Sequence, residues 1–216
     1  MTAPVRLKLT EIFHSLQGES ESVGLPTVFV RLTGCPLRCG YCDTAYAFTG
    51  GEWWELPQVL EKVASFGARH VCVTGGEPLA QRACLPLLSA LCDAGYRVSL
   101  ETSGALPVQE VDPRVIRVVD VKTPGSGEEA RNLYDQLGTL TERDQIKFVI
   151  TDRADYDWSV ARLRELRLAE HSRVLFSPSH EQLPARQLAD WILEDRLPVR
   201  FQLQLHKYLW GNVPGH

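Results

Sequence analysis

GCPLRCGYCDT at positions 34–44 carries the most specific information on the fold and the chemistry of this chain. It directly follows the apolar, β-branched run TVFVRLT at 27–33, which predicts a buried strand. Three cysteines, separated by three and then two residues, lie in this loop: Cys35, Cys39 and Cys42. Three thiolates on one loop can surround a single small inorganic cluster. The spacing therefore indicates a metal site at the end of a strand.

The type of metal site is open to two interpretations. A structural zinc ion prefers four protein ligands, so three cysteines without an obvious fourth favour a cluster with one open position. His14, His70 and Cys72 are candidates for a fourth ligand in space, which would instead make the chain a zinc-stabilised binding module. Cys72, Cys84 and Cys92 lie in apolar segments, where a free cysteine behaves as a small buried hydrophobe.

Apolar runs alternate with helix-like segments on both sides of the cysteine loop. This pattern is typical of an α/β protein with a mostly parallel sheet and crossover helices. The predicted strands are 27–33, 70–74, 97–101, 115–121, 146–151, 173–177 and 200–205, and the predicted helices are 56–66, 84–94, 155–168 and 184–195. We expect a single domain over residues 1–216, with an exposed excursion at 123–139.

Several predicted strands end in glycine- or proline-rich segments. Thr74-Gly75-Gly76-Glu77-Pro78 ends the second strand and Glu101-Thr102-Ser103 ends the third. Ligands of parallel α/β proteins bind beyond the carboxyl ends of the strands, so these segments are expected to meet at one site. Taken alone, the first segment is also a common turn and the second also fits a helix N-cap.

The composition excludes some classes of partner. The formal net charge of -4 provides no positive field for nucleic acid or anionic lipid. No stretch approaches the roughly 20 apolar residues that a membrane span requires, so we expect a cytoplasmic protein.

The cysteine loop resembles the cluster loop of the radical S-adenosylmethionine superfamily. The resemblance implies a 4Fe-4S cluster on the three cysteines, with S-adenosylmethionine (SAM) bound to the fourth iron. It also implies a 5'-deoxyadenosyl radical that abstracts hydrogen from the substrate. By the same resemblance the expected cofactor-binding residues are Tyr41, Gly75, Gly76, Glu77, Glu101, Ser103, Asp120, Lys122 and Ser177.

Three flanking motifs make the resemblance specific to one family within the superfamily. The chain contains IFxSxQGE at 12–19, PTxFVRxxGC at 26–35 and CDTxYA at 42–47, followed by TGGEP, ETSG, DVKTPGSGE and QLHKYLWG. The array resembles the 7-carboxy-7-deazaguanine synthases of the queuosine and deazapurine pathway. It implies an incomplete, open (β/α) barrel and a lyase reaction on 6-carboxy-5,6,7,8-tetrahydropterin, with hydrogen abstraction at C6, ring contraction and loss of ammonia.

A pterin has a guanidine-like edge and, in this substrate, a carboxylate. Gln17 and Glu19 can meet the edge, and Arg31 can pair with the carboxylate, although a salt bridge within the protein is the alternative for Arg31. The resemblance implies a magnesium ion at Thr44. The alternative is that the Thr44 hydroxyl only hydrogen-bonds to nearby backbone groups. The full set of expected substrate contacts is Leu16, Gln17, Gly18, Glu19, Arg31, Thr74, His206 and Pro214.

Further partners follow from the resemblance alone. They are a flavodoxin- or ferredoxin-type electron donor and a second copy of the chain in a homodimer. The enzymatic alternative is an activase that makes a glycyl radical in a partner protein. The segment Ser179-His180 fits the family pattern loosely, and no role is assigned to it or to the two residues beyond Pro214.

Overall fold

The computed structural model describes residues 4–215 and contains, in that range, nine strands and five α-helices. The strands are β1 (Arg6–Leu16), β2 (Pro26–Leu32), β3 (Glu52–Glu55), β4 (His70–Gly75), β5 (Arg97–Thr102), β6 (Ile116–Asp120), β7 (Gln145–Ile150), β8 (Arg173–Pro178) and β9 (Arg200–Phe201). The helices are α1 (Leu56–Ala64), α2 (Cys84–Asp93), α3 (Arg153–Glu165), α4 (Ala185–Glu194) and α5 (Leu205–Trp210).

All nine strands form one sheet in the order β3-β1-β2-β4-β5-β6-β7-β8-β9. From β2 through β9 each strand pairs with its neighbour in parallel, whereas β1 pairs antiparallel with both β2 and β3. The sheet therefore begins at β3 and ends at β9 without closing. An α/β fold with an incomplete, open barrel is confirmed.

Apolar faces of the helices form the core against the sheet. In α1, a capping box between Glu55 and Gln58 satisfies the first backbone groups, and Val59 and Val63 are fully buried. In α2, Leu87, Leu88 and Leu91 are buried in the same way. No described helix is long and apolar enough to cross a membrane.

The antiparallel strands β1 and β3 were absent from the sequence prediction. In β1, the buried residues Leu7 and Leu9 alternate with the polar residues Arg6, Lys8 and Thr10, because only one face of this part of the strand packs on the core. A search for continuous apolar runs passes over such a segment. β3 has only four residues and lies at the edge of the sheet.

Two further segments differ from the prediction. The last predicted strand, 200–205, shortens to the two residues of β9, and α5 begins at Leu205. The predicted excursion at 123–139 folds into three short 3-10 helices, and Thr123, Ser126, Gln136 and Leu137 are buried within it. Only part of that segment is therefore exposed.

The parallel register aligns the residues at the carboxyl ends of the strands. Leu32 of β2 lies opposite Gly75 of β4, and Asp120 of β6 lies opposite Lys147 of β7. This edge of the sheet positions the site described below.

Candidate functional site

A cavity of about 610 Å³ opens at the carboxyl ends of the strands. Its wall is formed by the cysteine loop, by the ends of β2 and β4 to β7, and by the segment around α5. Residues from positions 13 to 212 line it, so nearly the whole chain contributes.

Most of the residues that the sequence predicts for the site line this cavity. On the expected substrate side they are Leu16, Gln17, Gly18, Glu19, Arg31, Thr74 and His206. On the expected cofactor and metal side they are Tyr41, Gly75, Gly76, Glu101, Ser103, Asp120, Lys122, Cys35, Cys39, Cys42 and Thr44. Glu77, Ser177 and Pro214 do not line it.

The cysteine loop packs directly against the double glycine that follows β4. The Glu77 backbone N–H donates to the Gly34 carbonyl at 2.8 Å, and the Gly76 N–H donates to the Leu32 carbonyl at 3.1 Å. A Cβ at Gly76 would lie 2.3 Å from the Gly34 oxygen and 2.7 Å from the Cys35 Cβ. Only glycine therefore allows these two loops to approach so closely.

The three loop cysteines are free thiols that face the same cavity. Burial raises the pKa of the Cys35 and Cys39 thiols. Binding to iron would replace the thiol proton, as it does in every thiolate cluster site. The donor set thus fits an iron–sulfur cluster.

A closed zinc site finds no support in this arrangement. Within residues 4–215, no three His, Cys, Asp or Glu side chains are grouped so that they could hold one metal ion. His14, His70 and Cys72, the candidate fourth ligands, do not line the cavity.

Tyr41, between the last two loop cysteines, is held in the cavity wall. Its hydroxyl is buried and has no hydrogen-bond partner among the described residues. Burial raises the pKa of this hydroxyl to about 12, so it is a neutral donor. A buried hydroxyl without a partner is costly, which suggests that a ligand atom completes the site.

Glu77 lies behind the cavity wall rather than in it. Its carboxylate is fully buried and accepts from the Leu79 N–H at 2.9 Å, from the Thr102 hydroxyl at 2.9 Å, and from the Ser103 N–H and hydroxyl at 2.6 and 2.5 Å. These bonds fix the end of β5 to the turn after β4. The Glu77 carboxylate therefore supports the cavity wall, and the cofactor contact expected of Glu77 stays a prediction.

Glu101 faces residues expected to bind the substrate. Gln17 Nε2 donates to it at 3.2 Å, and the Thr74 hydroxyl lies 3.5 Å away. Burial raises the pKa of the Glu101 carboxyl, and the nearby Glu19 raises it further. Glu101 therefore belongs to the same end of the cavity as Gln17.

Arg31 takes part in a salt bridge within the protein and also faces the cavity. Its Nε donates to Glu11 Oε1 at 2.7 Å, and the Tyr46 hydroxyl donates to the same oxygen at 2.8 Å. The guanidinium lies over the Phe13 and Tyr46 rings, 5.6 and 5.9 Å from their centroids. These contacts orient the guanidinium while its side chain remains 14% exposed to the cavity.

A row of alternating charges crosses the floor of the cavity, and the sequence prediction missed its central member. Lys147 Nζ lies 2.6 Å from Glu19 Oε2 and 3.4 Å from Asp120 Oδ1, and Lys122 Nζ lies 2.8 Å from Asp120 Oδ2. Lys147 is the one charged residue in the apolar run IKFVIT at 146–151, and that exception was the available signal.

The C-terminal segment packs over the Gln17-Gly18-Glu19 turn. The Leu205 N–H donates to the Gly18 carbonyl at 2.9 Å, and a Cβ at Gly18 would lie 2.0 Å from His206 Nδ1. Burial lowers the pKa of the His206 imidazole. A neutral histidine thus lies flat against the turn.

Asp43, in the cysteine loop, binds the C-terminal segment through Lys207 and Gln204. Lys207 Nζ lies 2.8 Å from Asp43 Oδ2, and Gln204 Nε2 bridges Asp43 at 3.2 Å and Glu19 at 2.8 Å. Burial opposes the charge on Asp43, but Lys207 outweighs it and holds the pKa of this carboxyl well below its usual range. The Thr44 hydroxyl donates to Asp43 Oδ1 at 2.8 Å and faces the cavity.

After β8, the residues that line the cavity come later in the chain than the sequence predicts. Ser177 is buried inside β8, opposite Val149, whereas Ser179 and His180 line the cavity. The Ser179 hydroxyl donates to Gln182 Oε1 at 2.7 Å. Pro214 is exposed and away from the cavity, and Asn212 is the last residue that lines it.

Comparison with known proteins matches both the fold and the cysteine loop. Residues 29–120 match the model of the radical SAM superfamily. The chain is 45% identical to the 7-carboxy-7-deazaguanine synthase of Chlorobaculum tepidum, over 98% of this chain and 97% of that protein. It is 43% identical to the enzyme of the same name from Koribacter versatilis, over 94% and 97%. The crystal structure of QueE from Escherichia coli superposes with a TM-score of 0.76 at 26% identity, covering 93% of this chain and 95% of that one.

Proposed function

Because the chain belongs to the 7-carboxy-7-deazaguanine synthase family of radical SAM enzymes, we propose that it converts 6-carboxy-5,6,7,8-tetrahydropterin to 7-carboxy-7-deazaguanine with loss of ammonia. The observation that carries the proposal is one cavity that joins two kinds of chemistry. Three free cysteines face one end of it, and a carboxylate, an amide and a guanidinium face the other.

The cofactor end is formed by the cysteine loop and the ends of β4 to β6. Cys35, Cys39 and Cys42 would hold a 4Fe-4S cluster with SAM on its remaining iron. When bound, these groups supply the radical that removes a hydrogen atom from the substrate. Tyr41 offers its unpartnered hydroxyl on this side, and the Gly76 backbone can approach a ligand closely because no side chain intervenes.

Other cofactor contacts are proposed around these residues. Gly75, Ser103, Asp120 and Lys122 line the same cavity, and their backbone and side-chain polar groups can bind the ammonium and carboxylate of SAM. Glu77 supports them from behind through its bonds to Thr102 and Ser103.

The substrate end presents acceptors to a guanidine-like edge and a cation to a carboxylate. In this proposal Gln17 and Glu19 accept hydrogen bonds from the pterin edge, and Leu16, Gly18 and Thr74 line the cavity with them. Arg31, which Glu11 orients, pairs with the substrate carboxylate. His206 packs on Gly18, and the Lys207–Asp43 pair holds the C-terminal segment over this side.

We propose a magnesium ion at Thr44. Its hydroxyl faces the cavity two residues after Cys42, and a hard cation can complete its shell with substrate and water oxygens. The bond from Thr44 to Asp43 leaves hydroxyl lone pairs for a cation, since the threonine is the donor in it.

Two further proposals rest on the sequence resemblance, a flavodoxin- or ferredoxin-type electron donor and a homodimer. Two others rest on the length and composition of the chain, a single domain over residues 1–216 and a cytoplasmic location.

A product assay distinguishes the synthase from a glycyl-radical activase. The reconstituted, reduced protein is incubated without oxygen with SAM, magnesium and 6-carboxy-5,6,7,8-tetrahydropterin, and the mixture is analysed by mass spectrometry. The synthase proposal predicts the mass of 7-carboxy-7-deazaguanine. Reductive cleavage of SAM by an intact cluster, with no such product, would overturn it.

A further inference from the structure

Lys147 is a buried cation that joins the two ends of the cavity. It projects from β7, and its side chain is only 10% exposed. Its Nζ contacts Glu19, which lies 128 residues earlier in the turn after β1, and Asp120 on the neighbouring strand β6. Lys122 holds Asp120 from the far side, so Lys147 is fixed between two carboxylates.

The state of Glu19 depends on this lysine. Burial opposes the charge of a carboxylate, yet the attraction of Lys147 outweighs it and holds the pKa of Glu19 below its ordinary value. Gln204 Nε2 donates to the other carboxylate oxygen at 2.8 Å. The acidic neighbour Glu101 acts in the opposite direction, because the two carboxylates repel each other.

Protonation would change what Glu19 can recognise. An ionised carboxylate only accepts hydrogen bonds, whereas a carboxylic acid can also donate one. A substrate edge with an amino group therefore fits the ionised form, and an edge with a carbonyl at the same place is repelled by it.

We propose that Lys147 is a specificity-determining positioning residue, which holds Glu19 as an ionised acceptor so that the site selects a 2-amino pyrimidine edge over a 2-oxo edge. This inference rests on the proposed function, because it assumes that Glu19 faces the pterin edge. Lys147 itself acts through Glu19 and does not need to touch the substrate.

The test compares the 6-carboxytetrahydropterin with its 2-oxo analogue in matched variants. Lys147→Met keeps an unbranched side chain that is one atom shorter and removes its charge, and Lys147→Arg keeps the charge. Arg117→Met is the control, because it removes a buried cation whose Nη2 lies 2.5 Å from Asp144 Oδ2, at residues that do not line the cavity.

We expect Lys147→Met to raise the KM for the pterin by about 30-fold or more, since breaking a buried charge pair costs at least about 2 kcal/mol. The preference for the pterin over the 2-oxo analogue, measured as the ratio of kcat/KM, is expected to fall by at least tenfold as the acid form of Glu19 accepts the analogue. Lys147→Arg is expected to recover most of that preference, and Arg117→Met to leave it within twofold.

An unchanged KM and preference in a folded, iron-loaded Lys147→Met protein would overturn the inference. If that variant does not fold, Glu19→Gln serves instead, because a glutamine beside an intact Lys147 both donates and accepts. Its preference is expected to collapse, and retention of the wild-type preference would equally overturn the inference. Failure of the wild-type protein to convert the pterin would refute the proposed function instead.

Discussion

Substitution of Gly76 by alanine places a methyl group between the two loops that form the cofactor end of the cavity. The new Cβ would lie 2.3 Å from the Gly34 carbonyl oxygen and 2.7 Å from the Cys35 Cβ. Both are atoms of the cysteine loop close to its backbone, so no side chain can rotate away. The loop would have to withdraw by about 1 Å to restore an ordinary contact.

The cost of this withdrawal can be estimated from two parts. Insertion of a methyl group at a packed site costs about 1–3 kcal/mol. Stretching the Glu77 N–H bond to the Gly34 carbonyl, now 2.8 Å, adds about 1 kcal/mol. We therefore expect Gly76→Ala to lower the free energy of unfolding by about 2–4 kcal/mol and to displace Cys35 from the cavity.

The assay combines urea unfolding with iron analysis of the anaerobically reconstituted protein. Gly138→Ala is the matched control, because nothing lies within 4 Å of the Cβ that it adds. The control is expected to unfold within about 0.5 kcal/mol of the wild type and to bind a full complement of iron. Equal stability and equal iron content in Gly76→Ala would refute the reasoning.

Four further predictions concern single contacts. Cys39→Ala is expected to abolish cluster assembly and product formation, and a full 4Fe-4S absorbance spectrum with turnover would contradict its role as a ligand. Arg31→Ala is expected to spare SAM cleavage and to weaken pterin binding by about 2–5 kcal/mol, measured by titration, and an unchanged affinity would count against the ion pair. Glu77→Gln turns an amide N–H towards the donors at Thr102 and Ser103, so the free energy of unfolding in urea is expected to fall by about 2–4 kcal/mol. A fall of less than about 0.5 kcal/mol would contradict the support role. Burial raises the pKa of Asp144, but Arg117 outweighs burial and lowers it, so the Arg117–Asp144 pair stabilises the fold above the usual carboxyl pKa near 4. That stability is lost as the pH falls through the lowered pKa. The difference in unfolding free energy between wild type and Arg117→Met should therefore shrink from pH 7 towards pH 3, and a constant difference would contradict this.

Much of the site could be predicted because its chemistry is concentrated in short segments. The three cysteines lie within eight residues, and Gly75 and Gly76 directly follow a strand whose apolar run is easy to read. Parallel strands align their carboxyl ends, so motifs that are far apart in sequence meet at one cavity. The placement of Arg31, near the carboxyl end of β2, follows from the same principle. Gln17 and Glu19 follow the antiparallel strand β1, so the principle does not predict their position, and the turn after β1 brings them to the cavity.

The remainder depends on long-range contacts that a linear pattern does not contain. Lys147 reads as one polar residue in a buried strand until the fold brings Glu19 to it. Glu77 belongs to a motif, but its partners Thr102 and Ser103 turn it away from the cavity. The pattern of β1 is polar on one face, so it does not read as a buried strand. The predicted strand at 200–205 is shorter because its end belongs to α5, and α5 packs on Gly18 through His206.

The proposed reaction in this cavity releases one ammonia for each carboxylated tetrahydropterin that becomes a deazaguanine. Ammonia and 7-carboxy-7-deazaguanine can be quantified together in one anaerobic reaction of the wild-type protein with 6-carboxy-5,6,7,8-tetrahydropterin, SAM and reductant. We expect equal amounts of the two products, and neither of them when SAM is left out. A fully assembled, reducible cluster that yields neither ammonia nor the deazaguanine from the pterin would contradict the proposed reaction.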